Sequence, residues 1–83
     1  MTFTRIRALL VLGHALAEVG RFCDAADRYV QARDTGRAAG LSSRAIEATA
    51  GLARVAQARG DIAGALALVE PLVEQLSPAT VAG

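Results

Sequence analysis

The sequence predicts an all-α fold, and three observations indicate it. More than half of the residues are apolar but only three are aromatic, so the apolar content is mainly Ala, Leu and Val, which suit closely packed helices. No stretch alternates between apolar and polar residues as a half-buried strand does. Apolar residues recur instead at helical spacing, in four segments bounded by glycines. Because 83 residues make at most one domain, we expect a single unit of two antiparallel helical hairpins.

The first half of the chain contains two predicted helices. The first carries apolar residues spaced three and four positions apart, namely Ile6, Leu9, Leu10, Leu12, Leu16 and Val19. Gly20 follows this series and is expected to end the helix as its C-terminal cap. A second helix is expected to begin near Cys23. Gly36 and Gly40 are expected to weaken and then end it.

The second half repeats this arrangement. Ser42 is expected to cap a third helix that ends before Gly60. Asp61 is expected to cap a fourth helix by accepting hydrogen bonds from exposed backbone N–H groups. The apolar face of that helix consists of Ile62, Leu66, Val69, Leu72, Val73 and Leu76. Pro71 lies within it and predicts a kink or an early end, because proline lacks the backbone N–H and crowds the preceding turn.

An internal repeat supports this division. Sliding the chain against itself by 40 residues aligns identical residues, among them Ile6 with Ile46, Ala8 with Ala48, Leu12 with Leu52, Gly20 with Gly60 and Ala25 with Ala65. Other pairs in the same register are both apolar, including Leu16 with Ala56, Phe22 with Ile62, Ala26 with Leu66, Tyr29 with Val69 and Ala32 with Leu72. The two halves are therefore interpreted as two copies of one hairpin.

The first copy resembles the tetratricopeptide repeat (TPR) family. The residues that carry the resemblance are Leu12, Gly13, Leu16, Gly20, Phe22, Ala25, Tyr29 and Ala32. The matching residues of the second copy are Leu52, Ala53, Ala56, Gly60, Ile62, Ala65, Val69 and Leu72, so aliphatic residues replace both aromatics. The spacing of 40 exceeds the family's usual period of about 34. The chain is therefore similar to the longer-helix variety found in bacterial signalling regulators and ATPases, with the extra residues expected between Asp34 and Ser43.

The resemblance implies an organisation and a function. It implies a TPR-like α-solenoid over residues 1–76, with repeat 1 at about 5–39, repeat 2 at about 42–76 and a frayed tail at 77–83. Gly13 and Ala25 are expected where paired helices approach most closely, and Phe22 and Tyr29 are expected to fill wider gaps. The expected function is a scaffold that binds a protein or peptide. Because such stacks usually need more copies, the chain is expected to be a piece of a longer regulatory protein.

The resemblance also implies a binding surface. In this family the first helix of each hairpin lines a concave groove, and the matching residues here are Arg7, Leu10, His14, Glu47, Arg54 and Gln57. The alternative for these residues is an ordinary solvated helix face. Family members that grip a C-terminal carboxylate use Lys and Asn in the groove. This chain contains neither residue, so that kind of ligand is not expected.

Two other classes of function are alternatives. One is a structural slice of a solenoid or a homo-oligomerisation module, in which the apolar ends of the stack pack on neighbouring repeats or other copies. The other is a helix-turn-helix DNA-binding protein, since the spacing of Ala56, Gly60 and Leu66 imitates that turn. The supposed recognition helix, from Asp61 to Glu70, contains no Arg, Lys, Asn or Gln to contact bases or phosphates. Light scattering would separate the structural alternative from groove binding.

Charge and hydropathy restrict the partners. The net charge is +1 with both signs interspersed, so nucleic acid is not expected as a partner. The longest apolar run, Ile62 to Val69, is far shorter than the roughly 20 residues that span a bilayer, so no membrane contact is expected. Arg5 and Arg7 before an apolar stretch imitate a secretory signal. His14 interrupts that stretch, and the repeat frame accounts for more positions.

The remaining residue types point away from catalysis. Cys23 is the single cysteine, so no internal disulfide forms, and a cytoplasmic location is expected. Its side chain is expected to pack as a small hydrophobe. His14 and Cys23 lie on opposite sides of a turn with no Asn to orient them, so the chain is not expected to be an enzyme. No metal ion and no cofactor are expected either. The absence of Lys and Asn beside abundant Ala, Arg and Gly indicates a bacterial source.

Overall fold

The computed structural model describes residues 1–75, and the regular structure within them is helical. Four helices follow one another, α1 (Thr2–Glu18), α2 (Phe22–Ala38), α3 (Ser42–Ala58) and α4 (Ile62–Gln75). Each helix packs on the next along the chain. The predicted all-α fold of two stacked helical hairpins is confirmed. The predicted tail at 77–83 lies outside the described residues.

Three glycines spaced 20 residues apart end the first three helices in the same way. Gly20, Gly40 and Gly60 have φ angles of 81°, 73° and 84°, in the left-handed region that glycine adopts without steric cost. The N–H after each glycine donates to a carbonyl five residues earlier, as Arg21 does to Leu16 at 2.9 Å. This is the Schellman arrangement. Since α1, α2 and α3 each contain 17 residues, the 40-residue repeat consists of two equal helix-and-turn units.

Gly36 has a packing role that differs from its predicted one. It lies inside α2 and is buried, and the helix continues without interruption to Ala38. A Cβ at this position would lie 3.2 Å from the backbone N of Ala45 and 3.4 Å from the carbonyl oxygen of Leu41. The missing side chain therefore allows the start of α3 to approach α2 closely. The segment between Asp34 and Ser43, where the additional residues of the long repeat are expected, contains the end of α2, the turn at Gly40 and the start of α3.

The starts of α3 and α4 are capped differently. Leu41, not Ser42, is the N-cap of α3, and no side chain accepts a hydrogen bond there, so the predicted Ser42 cap is wrong. The Gly40 turn places Ser42 inside the first helical turn. At α4, Asp61 Oδ1 accepts from the N–H of Gly64 at 2.9 Å, and this predicted cap is confirmed.

Pro71 does not end α4. The helix continues through it to Gln75, so of the two predicted outcomes the early end is wrong and the kink stays a prediction. Pro71 and Ala67 are both exposed. Since the carbonyl of Ala67 is the group that loses its helical partner, exposure allows that oxygen to hydrogen-bond to water instead.

The core lies between α1, α2 and α3. Its buried residues are Ile6, Leu10, Ala25, Tyr29, Ala32, Ala48 and Val55. Among the repeat-signature residues, Gly13, Ala25, Tyr29, Ala32 and Ala53 are buried and Leu16, Phe22, Leu52 and Ala65 are half-buried. Leu12, Val19 and Ile62, predicted on apolar faces, are largely exposed. The reason is position, because α1 and α4 are the end helices of the described stack and each has a neighbour on one side only.

The stack of helices curves. α1 contacts α3 as well as α2, whereas α2 and α4 do not approach each other within the described chain. Because α1 and α3 contact each other and α2 and α4 do not, the layer that contains α1 and α3 is the inner one. The first helix of each hairpin therefore lies on the concave face.

Candidate functional site

Tyr29 joins the two hairpins at the centre of the structure. It projects from α2 between α1 and α3 and is only 2% exposed. Its ring lies directly against two glycines, since an added Cβ would lie 2.8 Å from Tyr29 Cε1 at Gly13 and 2.5 Å from the same atom at Gly51. Real Cβ atoms essentially never approach other atoms so closely, so a side chain at either position would force the buried ring of Tyr29 to shift. The sequence predicts Gly13 at a close approach of paired helices, and the group that the structure places against Gly13 is the ring of Tyr29.

The hydroxyl of Tyr29 reaches a histidine on α1. It lies 2.5 Å from His14 Nδ1, and the two rings meet edge-on with centroids 5.4 Å apart at 61°. Two hydrogen-bond directions fit this distance, either from the hydroxyl to an unprotonated Nδ1 or from an Nδ1–H to the hydroxyl oxygen. His14 Nε2 lies 3.9 Å from Glu47 Oε2 on α3. One side chain of α2 thus fixes a polar contact between the two helices of the concave layer.

Glu47 continues this contact along α3. Its Oε1 accepts from Arg44 Nη1 at 3.0 Å, and the Arg44 guanidinium lies 5.1 Å from the centre of the Phe3 ring on α1. Such partly exposed pairs contribute about 0–1 kcal/mol each. These contacts orient the Glu47 side chain, because Arg44 holds one of its carboxylate oxygens and His14 lies beside the other.

A groove of about 450 Å³ opens beside Tyr29 on the concave face. The groove is lined by His14, Ala17, Glu18, Phe22, Tyr29, Gly51, Arg54, Val55 and Ala58. Its walls combine apolar surface from α1, α2 and α3 with a few polar groups. Arg54 forms no ion pair with another described residue, so its guanidinium is available to a ligand. Concave apolar sites with few polar groups are typical of ligand binding.

The structure brings together three of the predicted groove residues. His14 and Arg54 line the groove and Glu47 borders it through His14. Arg7 and Gln57 are exposed and lie outside the groove lining. Leu10 is 3% exposed and belongs to the core, so its assignment to the binding surface is corrected.

Sequence reasoning missed two polar residues of the site. Glu18 lines the groove, and Arg44 holds Glu47. Helical spacing could have found Glu18, because it follows His14 by four positions on the same face. Arg44 could have been found in the same way, as it precedes Glu47 by three positions.

Other reactive residues of the described chain do not form a site. Cys23 is exposed, so the prediction that it packs as a small hydrophobe is wrong. Among residues 1–75, no three side chains of His, Cys, Asp or Glu converge where they could bind a metal ion. None of the four helices combines the length and apolar content needed to cross a bilayer.

The fold and site define a class of protein, a curved stack of helical hairpins with a groove on its concave face. Comparison of the chain with protein-family models, curated proteins and solved structures finds no match.

The pKa of the Tyr29 hydroxyl depends on the burial and the charges around the groove. Burial raises its pKa above the usual 10.0, the negative charge of Glu47 raises it further, and the positive charge of Arg54 partly offsets both. The pKa of Tyr29 is higher in the folded chain than in the unfolded chain. Its protonated hydroxyl therefore contributes fully to folding stability below the unfolded pKa of about 10, and this contribution is lost as the pH rises through the folded pKa.

We therefore expect the absorbance titration of the single tyrosine to have its midpoint above pH 10.0 in the folded chain. Arg54→Ala should move the midpoint higher and Glu47→Gln should move it lower, because each removes one of the two charges. A midpoint equal to that of the chain unfolded in urea, or shifts of the opposite sign, would contradict the described environment.

Proposed function

We propose that this chain is a protein-interaction scaffold of the tetratricopeptide type, without catalytic activity, which acts in the cytoplasm and presents the α1/α3 face to a protein or peptide. The single observation that carries the proposal is the groove beside Tyr29. It lies on the concave face, at the position where the resemblance places the binding surface, and three helices contribute to it.

The construction of the groove supports binding. Tyr29 is held between Gly13 and Gly51 and bonded to His14, so the floor is rigid before a partner arrives. A preformed surface loses little conformational entropy on binding. Phe22 and Val55 provide apolar wall, and Arg54 provides a cation with five N–H donors. A peptide with an apolar side chain next to an acidic group fits this surface.

Peptide display tests the proposal. Peptides selected from a random library on the immobilised chain should bind with about tenfold lower affinity to Arg54→Ala, because a charge-assisted hydrogen bond is lost. Arg59→Ala is the matched control, since Arg59 is also on the α3 side of the turn but lies away from the groove. Binding should also change the fluorescence of Tyr29, the only tyrosine in a chain without tryptophan.

Three results would count against the groove. They are the failure of any peptide to be selected, equal affinity for the natural chain and Arg54→Ala, and tyrosine fluorescence unchanged at saturation.

A further inference from the structure

Two apolar surfaces remain uncovered at opposite ends of the described stack. The α1 end face consists of Val11, Leu12, Ala15 and Val19. The α4 end face consists of Ile62, Leu66, Val69 and Val73. Five of these residues, Val11, Val19, Ile62, Leu66 and Val73, are 53–72% exposed. Repeat stacks normally end in polar surface, so uncovered apolar ends favour association.

The 40-residue register relates both faces to an interface inside the molecule. The α4 end face corresponds to Phe22, Ala26, Tyr29 and Arg33 of α2. The α1 end face corresponds to Gly51, Leu52, Val55 and Arg59 of α3. These α2 and α3 residues face each other, since Tyr29 lies against Gly51, and Ala26, Arg33, Leu52, Val55 and Arg59 line one cleft between the helices. The α4 end face is therefore equivalent to the α2 side of this interface, and the α1 end face is equivalent to the α3 side.

Side-chain size agrees with this relation. Inside the molecule the large ring of Tyr29 meets a glycine, Gly51. The equivalent pair across two stacked ends would be Val69 in place of Tyr29 and Val11 in place of Gly51. Two side chains of medium size then fill the space that one large ring fills inside the molecule. Volume-conserving exchanges of this kind preserve packing.

Charge agrees as well. The charged residues of α4 are Glu70 and Glu74, both acidic. The first turns of α1 carry Arg5 and Arg7 and no acidic residue. In the internal interface the end of α2 meets the start of α3, where Gly36 approaches Ala45. The same geometry places the end of α4 beside the start of α1, because Arg5 is the counterpart of Ala45. The two ends that meet then carry opposite charges, acidic at the end of α4 and basic at the start of α1.

We propose that the occupant of the α4 end face is the α1 end face of a second copy of this chain. Each copy then extends the stack by two hairpins, and the contact is head-to-tail. Such a heterologous contact does not close on itself, so association continues past the dimer. The concave layers of successive copies join, and their grooves lie in a row.

Sedimentation velocity with two blocked variants tests the proposal. Val11→Asp blocks the α1 end and Leu66→Asp blocks the α4 end, and both positions are more than half exposed and lie outside the groove. The natural chain should show a mass that rises with concentration beyond that of a dimer. Each variant alone should be monomeric. An equimolar mixture should form a dimer and nothing larger, because one intact α4 face meets one intact α1 face.

Other occupants give other results, and each would overturn the proposal. A natural chain that stays monomeric at all concentrations shows that a second copy does not occupy the α4 end face. A dimer formed by Val11→Asp alone means that two α4 faces pair with each other. Circular dichroism of each variant, together with retained peptide binding in the groove, keeps this outcome separate from the test of the proposed function.

Charge reversal provides a second arm. Glu70→Arg with Glu74→Arg should weaken self-association about tenfold, and a partner carrying Arg5→Glu with Arg7→Glu should restore it in a mixture. If the mixture stays as weak as either variant alone, the proposed pairing of α4 with α1 is wrong.

Discussion

Replacing Tyr29 by alanine is expected to lower the free energy of unfolding by about 3–5 kcal/mol, as for other large aromatic truncations in cores. The ring fills the space between α1 and α3, and the glycines on both sides cannot close the cavity with side chains of their own. A domain of 83 residues has a total stability of only about 4–12 kcal/mol. We therefore expect Tyr29→Ala to lose a large fraction of its stability, and to be partly unfolded at room temperature if the total lies at the low end of this range.

Urea titration followed by circular dichroism measures this effect, with Tyr29→Phe as the matched control. The phenylalanine variant keeps the ring and loses the hydrogen bond to His14, so it should lose only about 0.5–1.5 kcal/mol. If alanine and phenylalanine destabilise equally, the ring does not join the hairpins as described.

The second large effect is expected at Gly51, where Gly51→Val should destabilise the chain by about 1–3 kcal/mol. The first added carbon would lie 2.5 Å from a buried, rigid ring. Valine has a higher helix propensity than glycine by less than about 1 kcal/mol, so the steric clash with the ring outweighs this gain. For a chain of this size, each kcal/mol lowers Tm by about 4–8 °C.

Thermal unfolding of Ala50→Val provides the control for this substitution. Ala50 is the neighbouring residue on α3 and is exposed, so valine there meets no packed side chain. Its Tm should fall by only a few degrees, because valine has a lower helix propensity than alanine by less than about 0.7 kcal/mol. Equal losses at the two positions would mean that valine lowers the stability of α3 in general and that Tyr29 does not exclude a side chain at Gly51.

Much of the architecture could be predicted because it depends on local rules. A glycine after an apolar series marks a helix end, and the turns at Gly20 and Gly60 follow that rule. Asp61 caps α4 for an equally local reason. Gly36 shows the limit of the rule, because sequence alone does not distinguish a glycine that ends a helix from one that admits a neighbouring helix.

The site could be predicted only in part, because it depends on tertiary contacts. The resemblance to the tetratricopeptide family implied His14, Glu47 and Arg54 among the groove residues, and the structure places His14 and Arg54 in the groove lining and Glu47 next to His14. Leu10 is buried and Leu12 is exposed because residues two positions apart lie on opposite sides of a helix. Both sides of α1 carry apolar residues, so periodicity alone could not tell which side the other helices cover. The contact of Tyr29 with glycines on two other helices joins residues far apart in sequence, and no spacing rule predicts it.

Tyr29 connects the fold with the proposed function. The same ring that holds the two hairpins together forms the floor of the groove, and its hydroxyl orients His14. The proposed binding surface therefore exists only when both hairpins are packed on one another. A partner that binds this groove should stabilise the folded chain as a whole.

The most direct measurement of this central contact is a double-mutant cycle in which Gly51→Ala is made in the natural chain and in Tyr29→Val. In the natural chain the added methyl group meets the ring, so the free energy of unfolding should fall. Without the ring the same substitution should raise it by about 1 kcal/mol, the difference in helix propensity between alanine and glycine. The same effect in both backgrounds, within about 0.5 kcal/mol, would show that Tyr29 does not lie against Gly51.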